Sequence, residues 1–71
     1  MRAMLQQNLA LAERHIAEGE IRIARQREMI AELERDGHDT TAAQGLLAVF
    51  QHTMALYVAD RERLQNELGQ C

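Results

Sequence analysis

Arg35-Asp36-Gly37-His38-Asp39-Thr40-Thr41 is the stretch of this chain in which helix-stopping and helix-starting residues meet. Gly37 suits the left-handed conformation just past a helix end, which residues bearing a Cβ resist. Thr41 with Gln44 three residues later matches a capping box, and Asp39 or Thr40 could cap instead. A stop and a start so close together predict a tight turn at about 36–40 joining two helices. Proline is absent and only four glycines occur, so neither flank meets a strong breaker.

Upstream of the turn, Leu9, Ile16, Ile23 and Ile30 recur every seven residues. Leu5, Ala12, Gly19, Gln26 and Leu33 form a second series offset by three. Together they are the a and d positions of a heptad seam, with Ala3, Ala10, Ala17, Ala24 and Ala31 at the flanking b position. Helix 1 is therefore expected over about 3–35. Downstream, the seam resumes as Ala43, Leu47, Phe50, Met54, Tyr57, Arg61, Leu64, Leu68 and Cys71, which places helix 2 at about 41–69. Ala, Leu, Glu, Gln, Arg and Met dominate both blocks, and these are strong helix formers.

Folding helix 2 back on helix 1 at constant register pairs Leu33 with Leu47, Ile30 with Phe50, Gln26 with Met54 and Ile23 with Tyr57. Further from the turn come Gly19–Arg61, Ile16–Leu64, Ala12–Leu68 and Leu9–Cys71, and every pair of residue numbers sums to 80. In this register the Arg61 stem would cross Gly19, and Arg22–Asp60 and His15–Glu67 would be charge-matched on the flanks. The expected fold is all-α: one antiparallel, coiled-coil-like hairpin over residues 1–71.

One seam buries too little to offset the ordering of two long helices. Helix 2 also carries a second apolar face, Ala42, Leu46, Val49 and Leu56, with Val58 on the other flank. That surplus calls for a partner, and the simplest is a second copy completing a four-helix bundle as a homodimer; a helical segment of another protein is the other candidate. Met1, Met4, Met29 and Met54 fall at helical spacing and read as core and interface filler.

The chemistry that this sequence excludes is broad. A net charge of −3 argues against general nucleic-acid binding, which needs a positive excess. Hydrophobic residues make up 46% of the chain but are dispersed, and no apolar run approaches the ~20 residues that span a bilayer. The opening Met1-Arg2-Ala3-Met4-Leu5-Gln6-Gln7 has no continuous apolar stretch, so it does not read as a secretory signal. A lone Cys71 cannot form an internal disulfide, which fits a reducing compartment, and a cytoplasmic location is expected.

Asp36, His38 and Asp39 crowd the turn and could recruit a metal, but Asp39 reads as a cap and His38 as a solvated residue beside a helix C-terminus. His15 and His52 lack the Glu-x-x-His spacing of di-iron bundles. Arg22, Arg25 and Arg27, with Arg14 further off, are interleaved with Glu18, Glu20 and Glu28 and read as a salt-bridged, solvated face. No Gly-rich loop, cysteine pair or Ser/His/Asp arrangement is present. No catalytic, cofactor-binding or metal-ligating residue is assigned, and a non-enzymatic interaction module is expected. The alternative is a small nucleic-acid-binding regulator using the Arg-bearing face of helix 1. An enzyme would need a metal assembled across subunits.

The stretches His15-Ile16-Ala17-Glu18-Gly19-Glu20, Arg25-Gln26, Glu32-Leu33-Glu34-Arg35-Asp36-Gly37-His38-Asp39-Thr40 and Leu46-Leu47 resemble a group of small uncharacterised bacterial helical-hairpin proteins. The likeness covers most of the chain and implies a free-standing small bacterial protein. It implies no activity, cofactor or site residue.

Overall fold

In the computed structural model, which describes residues 1–70, the chain forms α1 (Arg2–Arg35) and α2 (Thr41–Gly69). The two helices pack side by side into a rod whose principal extents are 54 × 14 × 13 Å. The long dimension is what 34 residues of α-helix span at 1.5 Å each, so α1 runs the whole length. The fold is an all-α hairpin.

The turn is built as its residues dictate. Gly37 adopts φ +73°, the His38 N–H donates to the Leu33 carbonyl at 2.9 Å, and the Gly37 N–H donates to that of Glu34 at 3.1 Å. These two bonds are a Schellman motif, which satisfies carbonyls that the end of α1 leaves free. Arg35 in the last turn adds favourable charge beside the helix C-terminus.

At the start of α2 the Thr41–Gln44 capping box does not form. Thr41 already lies inside the helix, and both its N–H (2.9 Å) and its hydroxyl (2.7 Å) donate to Asp39 Oδ1. Asp39, one residue before the N-cap, therefore takes the capping role; Thr40 occupies the cap position without a side-chain bond.

The seam residues of both helices face inward. Ala12, Ile16, Ile30 and Leu64 are buried, as is Gln26. Leu5, Leu9, Gly19, Ile23 and Leu33 on α1 are half-buried, as are Ala43, Leu47, Phe50, Met54, Tyr57, Arg61 and Leu68 on α2. Cys71 lies outside the described residues, and the expected Leu9–Cys71 pair with it.

The register differs from the one expected. Gly19 faces Met54, His15 stacks near Tyr57 (ring centroids 4.9 Å apart) and the Arg22 guanidinium lies 5.7 Å from the Phe50 ring centroid. These residue numbers sum to 72 or 73 rather than 80, so α2 is slid along α1 by about one heptad. Arg61 does not lie across Gly19: a Cβ built there would meet Met54 Cε at 2.7 Å and no atom of Arg61 within 4 Å. The cause is the turn. A register summing to 80 is centred on Thr40 and would leave the first turn of α2 projecting past the end of α1. The observed register is centred at Asp36–Gly37, where the chain reverses.

Gln26 pins this arrangement. Its buried amide Nε2 donates to the Ala43 carbonyl at 2.9 Å, across the two helices. A buried amide tolerates only registers that supply an acceptor, whereas leucine would accept any apolar neighbour.

Candidate interaction face

The heptad lettering continues outward from the seam, with a at Leu9 and d at Leu5 in α1, and a at Leu47 and d at Phe50 in α2. Positions c and g then adjoin d on one side of each helix, and b and e adjoin a on the other. Met29 is a g residue and Met4 and Leu11 are c residues of α1; Leu46 is g, and Val49 and Leu56 are c, in α2. All six are exposed, Val49 and Leu56 at 58% each, although their side chains are large and apolar. Ile21, at the adjoining f position, is exposed as well, and Ala42 is an exposed c residue.

The grooves show that the c and g positions of both helices share one side of the rod. A shallow groove of about 480 Å³ runs past Ile21, Arg22, Met29 and Phe50. A tighter hollow of about 160 Å³ lies beside it over Gly19, bounded by Arg22, Val49, Phe50, Thr53 and Tyr57. Gly19 contributes no side chain to its floor, and Met54 reaches over the glycine in its place. Towards the open end, Leu11, His15, Asp60 and Arg63 border a third depression on the same side.

The five candidate interface residues fall as the spacing places them, four on one side and Val58 on the other flank. Ala42, Leu46, Val49 and Leu56 lie on the c/g side. Val58 is half-buried in a groove of about 380 Å³ on the opposite side, with Ile16, Ile23, Met54 and Arg61. There the Arg61 stem lies along apolar side chains and its Nε is buried without a hydrogen bond. The contributions of Leu11 and Ile21 were missed by reading helix 2 alone, although their c and f spacing carries the signal.

The charged residues also arrange themselves otherwise than the register of 80 requires. Asp60 and Glu67 both accept from Arg63, the latter at 3.0 Å, so they bracket one guanidinium on the surface of α2. Arg22 is over Phe50 rather than Asp60, a cation–π contact, and His15 packs on Tyr57. Both carboxylates come from exposed or half-exposed positions, where such pairs contribute little. Asp39 is held below the usual carboxylate range by the Thr41 hydroxyl and then by the Thr41 N–H.

The arginines do not form a single basic surface. Arg22 and Arg25 line the c/g groove together with Glu18, whereas Arg27 lines the groove on the opposite side with Glu20. Among the described residues no group of three or more His, Cys, Asp or Glu side chains could hold a metal ion, and Asp36, His38 and Asp39 at the turn are all exposed. No described helix is long and apolar enough to cross a membrane.

No protein-family model matches the chain, and no curated protein and no solved structure is significantly similar to it.

Proposed function

We propose that this hairpin is a non-enzymatic, self-associating interaction module, whose c/g side packs against a second copy to complete a four-helix bundle. One observation carries the reading: Met4, Leu11, Ile21, Met29, Leu46, Val49 and Leu56 are all 45% exposed or more and all lie on or beside one side of the rod. Monomeric soluble proteins rarely leave so extended an apolar surface uncovered. The interior of the hairpin is correspondingly thin, with four buried apolar residues in all among those described. A second copy supplies the missing interior without any further sequence. The split of the arginines between two sides speaks against the nucleic-acid reading, which needs them together.

Sedimentation or light scattering over a concentration series tests the proposal. A dimer is expected at micromolar concentration for the native chain, with thermal stability that rises with concentration. Val49→Glu should shift the equilibrium towards monomer, while Glu13→Ala, at an exposed e position on the opposite side, should not. A native chain that is monomeric and cooperatively folded at tens of micromolar would overturn the reading.

A further inference from the structure

The centre of the c/g side carries its own complement when turned end over end, while the outer c residues Leu11 and Ala42 face a charge in either orientation of a second copy. On α1 the c positions run Met4, Leu11, Glu18, Arg25, Glu32; on α2 they run Ala42, Val49, Leu56, Arg63. If two copies packed with their turns at the same end, each α1 would face the partner's α2. Glu18 would then oppose Leu56 and Arg25 would oppose Val49, because in the observed register each of these pairs lies at nearly one height. Two charges would be pressed onto the most exposed apolar residues of α2, a desolvation cost without a counter-charge.

With turns at opposite ends, each helix instead faces its own copy. Glu18 then meets the partner's Arg25, and Val49 meets the partner's Leu56, each twice by symmetry. Both matches must be served by one two-fold axis. The axis that relates Glu18 to Arg25 passes between residues 21 and 22 of α1; the one that relates Val49 to Leu56 passes between 52 and 53 of α2. Within one hairpin, Arg22 lies over Phe50 and Gly19 against Met54, so these two points fall within about two residues, roughly 3 Å, of the same height. The hollow over Gly19 lies beside this axis, with Thr53 on its rim. The shared height follows from the heptad register, which sets the c positions of the two helices level with one another.

We propose that the second copy docks antiparallel, α1 on α1 and α2 on α2, about a two-fold axis close to Arg22 and Thr53. This rests on the self-association proposed above and specifies its geometry. The contact is isologous and closed, so it terminates at a dimer rather than growing into a fibre.

The test uses the full chain carrying Cys71→Ser, with a single new cysteine at Thr53. Near the two-fold axis the two Thr53→Cys thiols should form an interchain disulfide under mild oxidation, since facing Cβ atoms come within disulfide range. With turns at the same end the two α2 helices lie on a diagonal, and no such bond forms. Glu13→Cys, at an exposed e position on the opposite side, serves as the collision control and should remain monomeric on denaturing gels. Charge reversal gives a second readout. Glu18→Arg and Arg25→Glu should each weaken dimerisation on the order of tenfold, and the double exchange Glu18→Arg/Arg25→Glu should restore it. A dimer in solution whose Thr53→Cys variant crosslinks no better than Glu13→Cys overturns the antiparallel geometry and leaves self-association standing. A native chain that stays monomeric overturns both.

Discussion

Replacing Gly19 with alanine sets two effects of similar size against each other, and the register decides which residue answers. A mid-helix glycine costs about 1 kcal/mol relative to alanine, so propensity alone favours the substitution. The added Cβ would sit 2.7 Å from Met54 Cε, against an ordinary carbon–carbon separation of about 3.5–4.0 Å. Met54 must therefore withdraw its terminal methyl by about 1 Å. Methionine has three side-chain torsions to do so, and an off-rotamer displacement of that kind costs about 0.5–1.5 kcal/mol. The expected net change for Gly19→Ala is within about 0.5 kcal/mol of zero. Combining it with Met54→Ala removes the obstacle and releases the full propensity gain, so the double mutant should exceed the sum of its singles by about 1 kcal/mol. Arg61→Leu should show no such coupling, since no Arg61 atom lies within 4 Å of the new methyl. Denaturant melts of the native chain, the singles and both doubles, at one fixed concentration, measure all the terms. Coupling to position 61 with none to position 54 would refute the register described here and restore the one whose residue numbers sum to 80.

Two further predictions follow from the turn and from the buried amide. Gln26→Leu should leave stability within about 1 kcal/mol, because one hydrogen bond is exchanged for apolar burial. It should nevertheless loosen the register: in a Cys71→Ser background, Ile23→Cys/Phe50→Cys should crosslink within one chain efficiently only while Gln26 is present, and undiminished crosslinking after Gln26→Leu would show that the amide does not set the register. For Asp39, the folded carboxyl is depressed by its two bonds to Thr41, so its stabilisation is fully present above the unfolded value of about 3.9 and is lost as pH falls through the lower folded value. Asp39→Asn should therefore flatten the acid limb of a plot of melting temperature against pH, and an unchanged limb would mean that Asp39 is not anchored by Thr41.

Much of this protein was legible without coordinates, for a local reason. Helices form from short-range periodicity, and their ends are set by residues within one turn of the end. Gly37 could be assigned its left-handed conformation because few other residues adopt one cheaply, and the seam could be assigned because a heptad series has only one side. The same locality left the start of α2 open among Thr41, Thr40 and Asp39, all within one turn, and it is Asp39 Oδ1 that accepts from both the N–H and the hydroxyl of Thr41.

What the tertiary structure alone decided is how far one helix is slid along the other. A heptad seam is nearly indifferent to a slip of one whole heptad, since every a and d residue still meets an a or d residue. The seam spacing was therefore consistent with Gly19 facing Arg61 and equally with Gly19 facing Met54. Only non-local facts separate them: where the chain physically reverses, which carbonyl the Gln26 amide can reach, and which side chain fits the space a missing Cβ leaves. The joining of exposed residues of α1 and α2 into one side was of the same kind. Met29 and Leu11 belong to a surface with Leu46 and Leu56 because the c/g positions of both helices turn the same way out of the hairpin, and that depends on how two helices are placed, not on the pattern of either.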